Sequence, residues 1–165
     1  MQKPANITPV IDERDRQILR LVQRDASLAQ AEIARQVGLS TAAVHERLKK
    51  LESSGVIRRW TAVVDGAAVG AGITAFVEVF LDHPRHEPAL LDCVVRLDDV
   101  LECHHVTGEF SLLLKVRVGS MEALRQLLLH QLGALEGVSR TRTVVVLSTV
   151  KEETFVAPVV QGANP

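Results

Sequence analysis

The most informative part of this chain is residues 30–54, which read QAEIARQVGLSTAAVHERLKKLESS. An apolar stripe typical of a helix is formed in its first half by Ile33, Ala34 and Val37. Gly38 ends this helix where a positive φ is favoured. Ser40 caps a second helix, whose apolar residues recur at i, i+4 and i+7: Val44, Leu48 and Leu51. Two helices joined by a tight glycine-containing turn predict a helix-turn-helix.

The flanking sequence completes a small helical domain. Asp12 is predicted to cap a preceding helix with the apolar stripe Ile18, Leu19 and Val22. Ser27 and Gln30 have the spacing of a capping box for the next helix. The third helix is expected to end at Gly55, and residues 56–61 to form a short strand.

The outward side of the third helix has the composition of a DNA-binding surface. Its exposed positions are predicted to be Thr41, His45, Glu46, Arg47, Lys49 and Lys50. Such a helix fits the major groove, with early residues near base edges and later cations near phosphates. The alternative is a three-helix bundle with a solvated charged face.

The charge distribution agrees with a DNA-binding front end. Residues 1–60 carry 11 Lys+Arg against 7 Asp+Glu, whereas residues 61–165 carry 8 against 13, for a net charge of -1. A basic segment on an acidic body suggests that only the front meets a polyanion. No apolar run approaches the roughly 20 residues of a membrane span, and no secretory signal precedes Pro9. The expected location is therefore the cytoplasm. Cys93 and Cys103 fit that compartment, and they form no C-x-x-C pair that would suggest zinc or a redox dithiol.

The back half alternates strand and helix patterns. Strands are predicted at residues 74–81, 100–106, 110–118 and 138–149, with one helix after Pro88 and another capped by Ser120. The order β-α-β-β-α-β is that of the ferredoxin-like split unit, so the fold class is α+β. Its helices cover one sheet face. The other face mixes apolar and charged residues, as expected of a sheet that pairs with a second subunit: Phe76, Glu78, Phe80, Leu113 and Lys115.

Four stretches together resemble the Lrp/AsnC family of feast/famine regulators. They are Ile11–Leu19, Val37–Ser40 leading to Glu46–Leu48 and Leu51–Glu52, Glu102–Gly108, and Gly137–Thr143, in the family's order and spacing. The resemblance covers about residues 11–152. It implies a winged helix-turn-helix that binds double-stranded DNA and a βαββαβ regulatory domain that forms dimers. It also implies frequent octamers, with an amino-acid effector bound where dimers meet.

The resemblance also implies which residues contact DNA. On the helix and its N-cap these are Ser40, Thr41, Ala42, His45, Arg47 and Lys50. Arg58 and Arg59 match the start of the wing, where contact with phosphates is expected. The alternative for Arg47 is an ion pair, within its helix or between domains.

The effector site implied by the family falls on two segments of the back half. Its candidate residues are His104, Val106, Thr107, Gly108, Glu109, Ser111, Thr141 and Thr143. The family's turn often has further acidic and tyrosine residues where this chain has Ser111 and Leu112. Losing a carboxylate removes a natural partner for an ammonium group, so either the effector differs or the site is vestigial. Glu109 has the alternative of a solvated turn residue, and the two threonines that of ordinary strand-surface residues.

Two other functions are compatible with this architecture. Sirohaem decarboxylases resemble the family, and such an enzyme would use His104 or His105 near a tetrapyrrole, but the third helix here keeps its cations. An architectural DNA-binding protein without an effector is the other. No nucleophile motif, cofactor loop or closed zinc pattern occurs, so we assign no catalytic residue, metal or cofactor.

The predicted domain boundaries follow from these segments. Residues 1–61 form the winged helix-turn-helix domain and residues 62–73 a glycine-rich linker. Residues 74–152 form the oligomerisation and effector domain, and residues 153–165 a C-terminal tail.

Overall fold

The computed structural model describes residues 10–159. It contains two compact units. One runs as far as Ala62 and also includes the chain from Lys151 onward, and the other is Val63–Val150. None of the helices in the described range is long and apolar enough to cross a membrane.

The first unit is built from three helices. They are α1 (Glu13–Arg24), α2 (Gln30–Val37) and α3 (Thr41–Ser53). Asp12 caps α1 in a capping box: its side chain accepts the N–H of Asp15, and the Asp15 side chain accepts the N–H of Asp12. Gly38 closes α2 in the left-handed region at φ 66°, and the Ser40 hydroxyl accepts the N–H of Ala43 to start α3. The helical stripes predicted from the sequence form one core, made of Ile18, Leu19, Val22, Ile33, Ala34, Val37, Val44, Leu48 and Leu51.

Two local predictions for this unit are wrong. The Ser27–Gln30 capping box is absent, because α2 begins after Ala29 without a side-chain cap and the Ser27 hydroxyl donates to Asp25 at 2.6 Å. The strand predicted for residues 56–61 does not form. Val56 and Ile57 instead pack against the helical core, and no neighbouring strand pairs with their backbone.

The second unit is a four-stranded antiparallel sheet with helices. Its elements are β1 (Ile73–Leu81), a 3-10 turn (Pro84–His86), α4 (Glu87–Val94), β2 (Val100–His105), β3 (Leu112–Val118), α5 (Met121–Gln126) continued by a π-helical turn (Leu127–Leu132), and β4 (Val138–Val145). The strand order is β2-β3-β1-β4, and every pairing is antiparallel. The predicted βαββαβ order is therefore present, although β3 begins two residues later and β4 ends four residues earlier than predicted.

The core of the second unit lies on the helix-covered face of the sheet. Alternate residues of the two central strands are fully buried there, which are Ala75, Val77 and Val79 of β1 and Leu112, Leu114, Val116 and Val118 of β3. They pack against Leu90 and Val94 of α4 and against Leu124, Leu127 and Leu132. The opposite, helix-free face carries the intervening residues, which include Phe76, Glu78, Phe80, Leu113 and Lys115.

The described part of the C-terminal segment contacts the first unit. Residues 151–159 belong to the first unit, and Val156 bonds with Gln23 of α1 through its N–H at 2.8 Å and its carbonyl at 3.0 Å. The Arg24 guanidinium lies 5.7 Å from the centre of the Phe155 ring. Val156 and Phe155 are therefore held against α1. The rest of the predicted tail, residues 160–165, lies outside the described range, as do residues 1–9.

Candidate nucleic-acid interface and effector surface

Helix α3 presents a continuous polar side to solvent. Its buried side is Val44, Leu48 and Leu51, whereas Thr41, Ala42, His45, Glu46, Lys49 and Lys50 are exposed. Within residues 10–159, neither Lys49 nor Lys50 forms an ion pair with a carboxylate. An exposed helix side with small early residues and unpaired later cations has the chemistry needed to meet base edges and phosphates.

Among the predicted DNA contacts on α3, Arg47 is the one whose charge is already paired with carboxylates. Its Nη1 atom lies 2.6 Å from Asp12 Oδ2 and 2.7 Å from Asp15 Oδ1, and Asp15 is only 4% exposed. The hydrogen bonds that the guanidinium donates to Asp12 and Asp15 raise its pKa above the ordinary value. This is an ion pair between α1 and α3 of one unit. The contact of Arg47 with DNA stays a prediction, and it requires the guanidinium to leave or share these carboxylates.

A second arginine, Arg14 of α1, fixes the turn between the two helices of the motif. Arg14 Nη1 donates to the carbonyl of Val37, the last residue of α2. The same guanidinium lies beside Gly38, 3.7 Å from the position a Cβ atom would occupy. Arg14 therefore satisfies a carbonyl at the C-terminal end of α2, where helical partners run out. No motif or periodicity in the sequence indicates this bond, or the role of Asp15 as the partner of Arg47.

The segment after α3 folds back beside it. Arg58 and Arg59 are exposed, as a phosphate-contacting pair must be, and Trp60 donates its indole N–H to Glu52 Oε1 at 2.7 Å. Trp60 and Glu52 both line an open cavity of about 340 Å³ next to α3. Its lining is Val22, Ala26, Leu28, Gln30, Ile33, His45, Leu48, Lys49, Glu52 and Trp60.

The strand pairings show which face of the sheet carries the candidate effector residues of β2 and β4. The Ser111 N–H donates to the carbonyl of Val79, and Thr141 pairs with Val79 from the other side of β1. Thr143 pairs with Val77, so the two threonines lie on the helix-covered face at the edge strand β4. His104 pairs with Leu113 on the helix-free face. One chain thus brings Ser111 and Thr141 to the same level of the sheet and leaves His104 on the opposite face from the threonines.

Glu109 lies in the turn before β3 and within electrostatic range of Arg142. The pKa of Arg142 is raised, chiefly by its hydrogen bond to Glu78 and also by the charge of Glu109. Arg142 forms an ion pair with Glu78: its Nη2 donates to Oε1 at 2.8 Å, and its Nε lies 2.6 Å from Oε2. Val106 is half-buried, and Thr107, Gly108 and Glu109 are exposed. Glu109 is therefore an accessible carboxylate beside a guanidinium that is already paired.

The histidines of β2 have separate carboxylate partners. His104 Nε2 lies 3.1 Å from Glu102 Oε2, and His105 Nε2 lies 3.0 Å from Glu87 Oε1. Their pairing partners place them on opposite faces of the sheet, as alternation along a strand requires. Within the described part of the chain, no group of three His, Cys, Asp or Glu residues is placed to hold a metal ion.

The fold and the exposed helix together define a class of protein. A helix-turn-helix with an open polar recognition side, joined to a βαββαβ domain, is the architecture of a DNA-binding regulator with a ligand-binding domain. Two family models match this chain: the winged helix-turn-helix DNA-binding model over residues 11–58 and the Lrp/AsnC ligand binding domain over residues 74–156. The chain belongs to the Lrp/AsnC family of transcriptional regulators.

Individual relatives agree with this assignment. The chain is 38% identical to the leucine-responsive regulatory protein of Escherichia coli K12, over 86% of this chain and 88% of the relative. It is 34% identical to the transcriptional regulator FL11 of Pyrococcus abyssi, over 87% of this chain and 94% of the relative. Both relatives are named as regulators, and the family model over residues 11–58 is a DNA-binding one. The chain is therefore a regulator and not an enzyme, and the sirohaem decarboxylase alternative is not supported.

Solved structures of the family match most of this chain. Escherichia coli AsnC matches with a TM-score of 0.85 at 29% identity, covering 91% of this chain and all of that one. A transcriptional regulator of Neisseria meningitidis, solved as a complex with L-Met, matches with a TM-score of 0.84 at 29% identity. That match covers 88% of this chain and 95% of the Neisseria chain.

Proposed function

We propose that this regulator binds double-stranded DNA with α3 in the major groove. The observation that carries the proposal is the exposed side of α3, whose Lys49 and Lys50 have no carboxylate partner among residues 10–159. The proposed contacts to base edges come from Ser40, Thr41, Ala42 and His45, and those to phosphates from Lys50, Arg58 and Arg59. Arg47 contributes in the first place by fixing α3 to α1.

A homodimer is the proposed functional unit, with octamers of four dimers as the larger assembly. The helix-free face of the sheet supports this, because Phe76 and Phe80 lie on it beside the ion pair of Glu78 and Arg142. Phe80 contacts Phe110, with ring centres 5.8 Å apart, and the Arg140 guanidinium lies 4.0 Å from the centre of the Phe80 ring. A two-fold dimer would present two copies of α3 to sites about one helical turn apart, and several dimers would bend a longer duplex.

The second unit is proposed to bind a small effector, an amino acid or related metabolite, between dimers. Candidate ligand contacts are His104, Val106, Thr107, Gly108, Glu109, Ser111, Thr141 and Thr143. The division of these residues between two sheet faces favours a site completed by more than one chain. The exposed Glu109 carboxylate offers a partner for an ammonium group. Effector binding would shift the assembly state and therefore which DNA sites are bridged.

The domain boundaries and location belong to the same proposal. Residues 1–61 are the DNA-binding domain, residues 62–73 the linker, residues 74–152 the effector domain and residues 153–165 the tail. The cytoplasm is the proposed location, since a DNA-binding regulator acts where its DNA is.

Two measurements test this function. A DNA fragment from upstream of the protein's own coding sequence should be retarded in a gel at low salt. This retardation should persist in the presence of bulk competitor DNA, and the affinity should fall steeply as the salt concentration rises. No retention at low salt would refute DNA binding. A thermal-shift titration with each of the twenty amino acids tests the effector, because a ligand of the native state must raise the melting temperature. No response to any amino acid would refute an amino-acid effector and favour the architectural alternative.

A further inference from the structure

The C-terminal segment is attached to the DNA-binding unit by a specific contact. The Gln23 side-chain amide bonds to both backbone groups of Val156: its Nε2 donates to the carbonyl at 3.0 Å, and its Oε1 accepts the N–H at 2.8 Å. One amide therefore satisfies the two hydrogen-bonding groups that a neighbouring strand would satisfy. The two residues are 133 positions apart in the chain.

A second contact lies directly beside the first. The Arg24 guanidinium is 5.7 Å from the centre of the Phe155 ring, within the range of a cation–π interaction. Phe155 and Pro158 are half-buried, although most of this segment is exposed. Neighbouring residues of α1 thus hold neighbouring residues of the segment, one through its backbone and one through its ring.

The chain consequently connects the two units twice. It leaves the first unit after Ala62 and returns to it at Lys151. On the return path, the N–H of Val146 is bonded to the carbonyl of Thr74 at 2.9 Å, and Phe155 is bound at α1. The intervening residues 147–154 can span at most about 27 Å when fully extended. The return path is therefore short and fixed at both ends.

We infer that residues 151–159 are a tether through which Gln23 and Arg24 restrict the movement of each DNA-binding unit, and that this restriction strengthens binding to duplexes with two sites. The inference rests on the proposed function, since it requires a dimer that meets DNA through two copies of α3. When one copy is bound, the second binds at an effective concentration set by the connection that joins them. A second and shorter connection between the two units reduces the volume that the unbound copy of α3 can explore. Gln23 and Arg24 are positioning residues in this account and do not touch DNA.

The tether itself is tested by amide hydrogen exchange in the full-length protein. Gln23→Ala removes both bonds to Val156, and Gln17→Ala is the matched control, because Gln17 lies on the same helix and bonds to Arg14 instead. Exchange of the Val156 amide should accelerate in Gln23→Ala and remain at the wild-type rate in Gln17→Ala. Exchange at the unprotected rate in the wild-type protein would refute the tether.

Its role is tested with two duplexes. One is selected by the wild-type protein and carries two sites, and the other has one of the two sites scrambled. Gln23→Ala should lower affinity for the two-site duplex by about 10-fold and for the one-site duplex by no more than about 2-fold, and Phe155→Ala should behave in the same way. Equal losses on both duplexes, or no loss on either, would overturn the inference. Failure of the wild-type protein to bind any duplex would refute the proposed function as well, whereas the exchange measurement would still show whether the tether forms.

Discussion

Replacing Arg47 by methionine separates the two roles open to this residue. In the structure, its guanidinium joins Asp12 at 2.6 Å and Asp15 at 2.7 Å. Asp15 is 4% exposed, and its remaining hydrogen bond is from the N–H of Asp12 at 3.1 Å. Arg47→Met keeps most of the apolar stem but leaves a buried carboxylate without its cation. The variant should therefore weaken the attachment of α3 to α1.

The size of the effect follows from the burial of the pair. Removing one partner of a fully buried ion pair costs about 3–5 kcal/mol. The Arg47 side chain is 30% exposed and that of Asp12 is 52% exposed, so water reaches part of this cluster. We expect a loss of about 2–3 kcal/mol in the free energy of unfolding. For a unit of this size in urea, with an m-value of about 1 kcal/mol/M, the midpoint should fall by about 2–3 M.

The fluorescence of Trp60 is the assay, because it is the single tryptophan of the chain and lies beside α3. Lys50→Met is the matched control on the same helix, and it should change the midpoint little. The dependence of DNA affinity on salt gives the complementary readout. Lys50→Met should reduce the slope of log K against log salt by about 0.9 for each lost phosphate contact, whereas Arg47→Met should leave the slope unchanged. A reduced slope together with an unchanged urea midpoint in Arg47→Met would refute the positioning role.

Three further substitutions test other parts of the structure. Gly38→Ala should destabilise the first unit by about 1–2 kcal/mol. The φ of Gly38 is 66°, and the added Cβ would meet the Arg14 guanidinium at an ordinary contact distance of 3.7 Å, so backbone strain is the cost. Gly38→Asn should cost less in the same urea assay. The N–H of Asp15 and then Arg47 lower the pKa of Asp12 below its ordinary 3.8, so its contribution to stability is full above that pH and is lost as pH falls further. Asp12→Asn should accordingly flatten the loss of stability between roughly pH 5 and pH 2, and an unchanged acid profile would contradict this. Leu114→Ala, at a fully buried position, should cost about 2–5 kcal/mol in thermal unfolding followed by far-UV circular dichroism, and a melting curve like that of the wild type would be inconsistent with the described core.

The elements that the sequence predicted correctly are those specified by local signals. Ser40, Gly38 and the stripe of Val44, Leu48 and Leu51 define a helix start, a helix end and a buried side without reference to the rest of the chain. The alternation in β3 specified its buried face in the same way. Other predictions from local signals were wrong, because the residues concerned have different partners in the structure. The hydroxyl of Ser27 bonds to Asp25, and Val56 with Ile57 packs on the helical core instead of pairing as a strand.

The features that the sequence did not predict depend on distant residues. The partners of Arg47 lie 35 and 32 positions away, and Val156 lies 133 positions from Gln23. No periodicity or motif specifies such pairs, because they exist only after the helices pack. The assignment of α3 as the candidate interface needed only local pattern and the family resemblance. The position of each effector residue relative to the others needed the strand register.

In the proposed function, the outward side of α3 distinguishes one DNA sequence from another. The direct measurement is the ratio of dissociation constants for a scrambled and a selected duplex at one salt concentration, compared between the wild type and Thr41→Ala/His45→Ala. We predict that this ratio falls by about 10- to 100-fold in the double variant, while the urea midpoint reported by Trp60 stays at its wild-type value. A ratio equal to that of the wild type would show that sequence is recognised by another part of the protein.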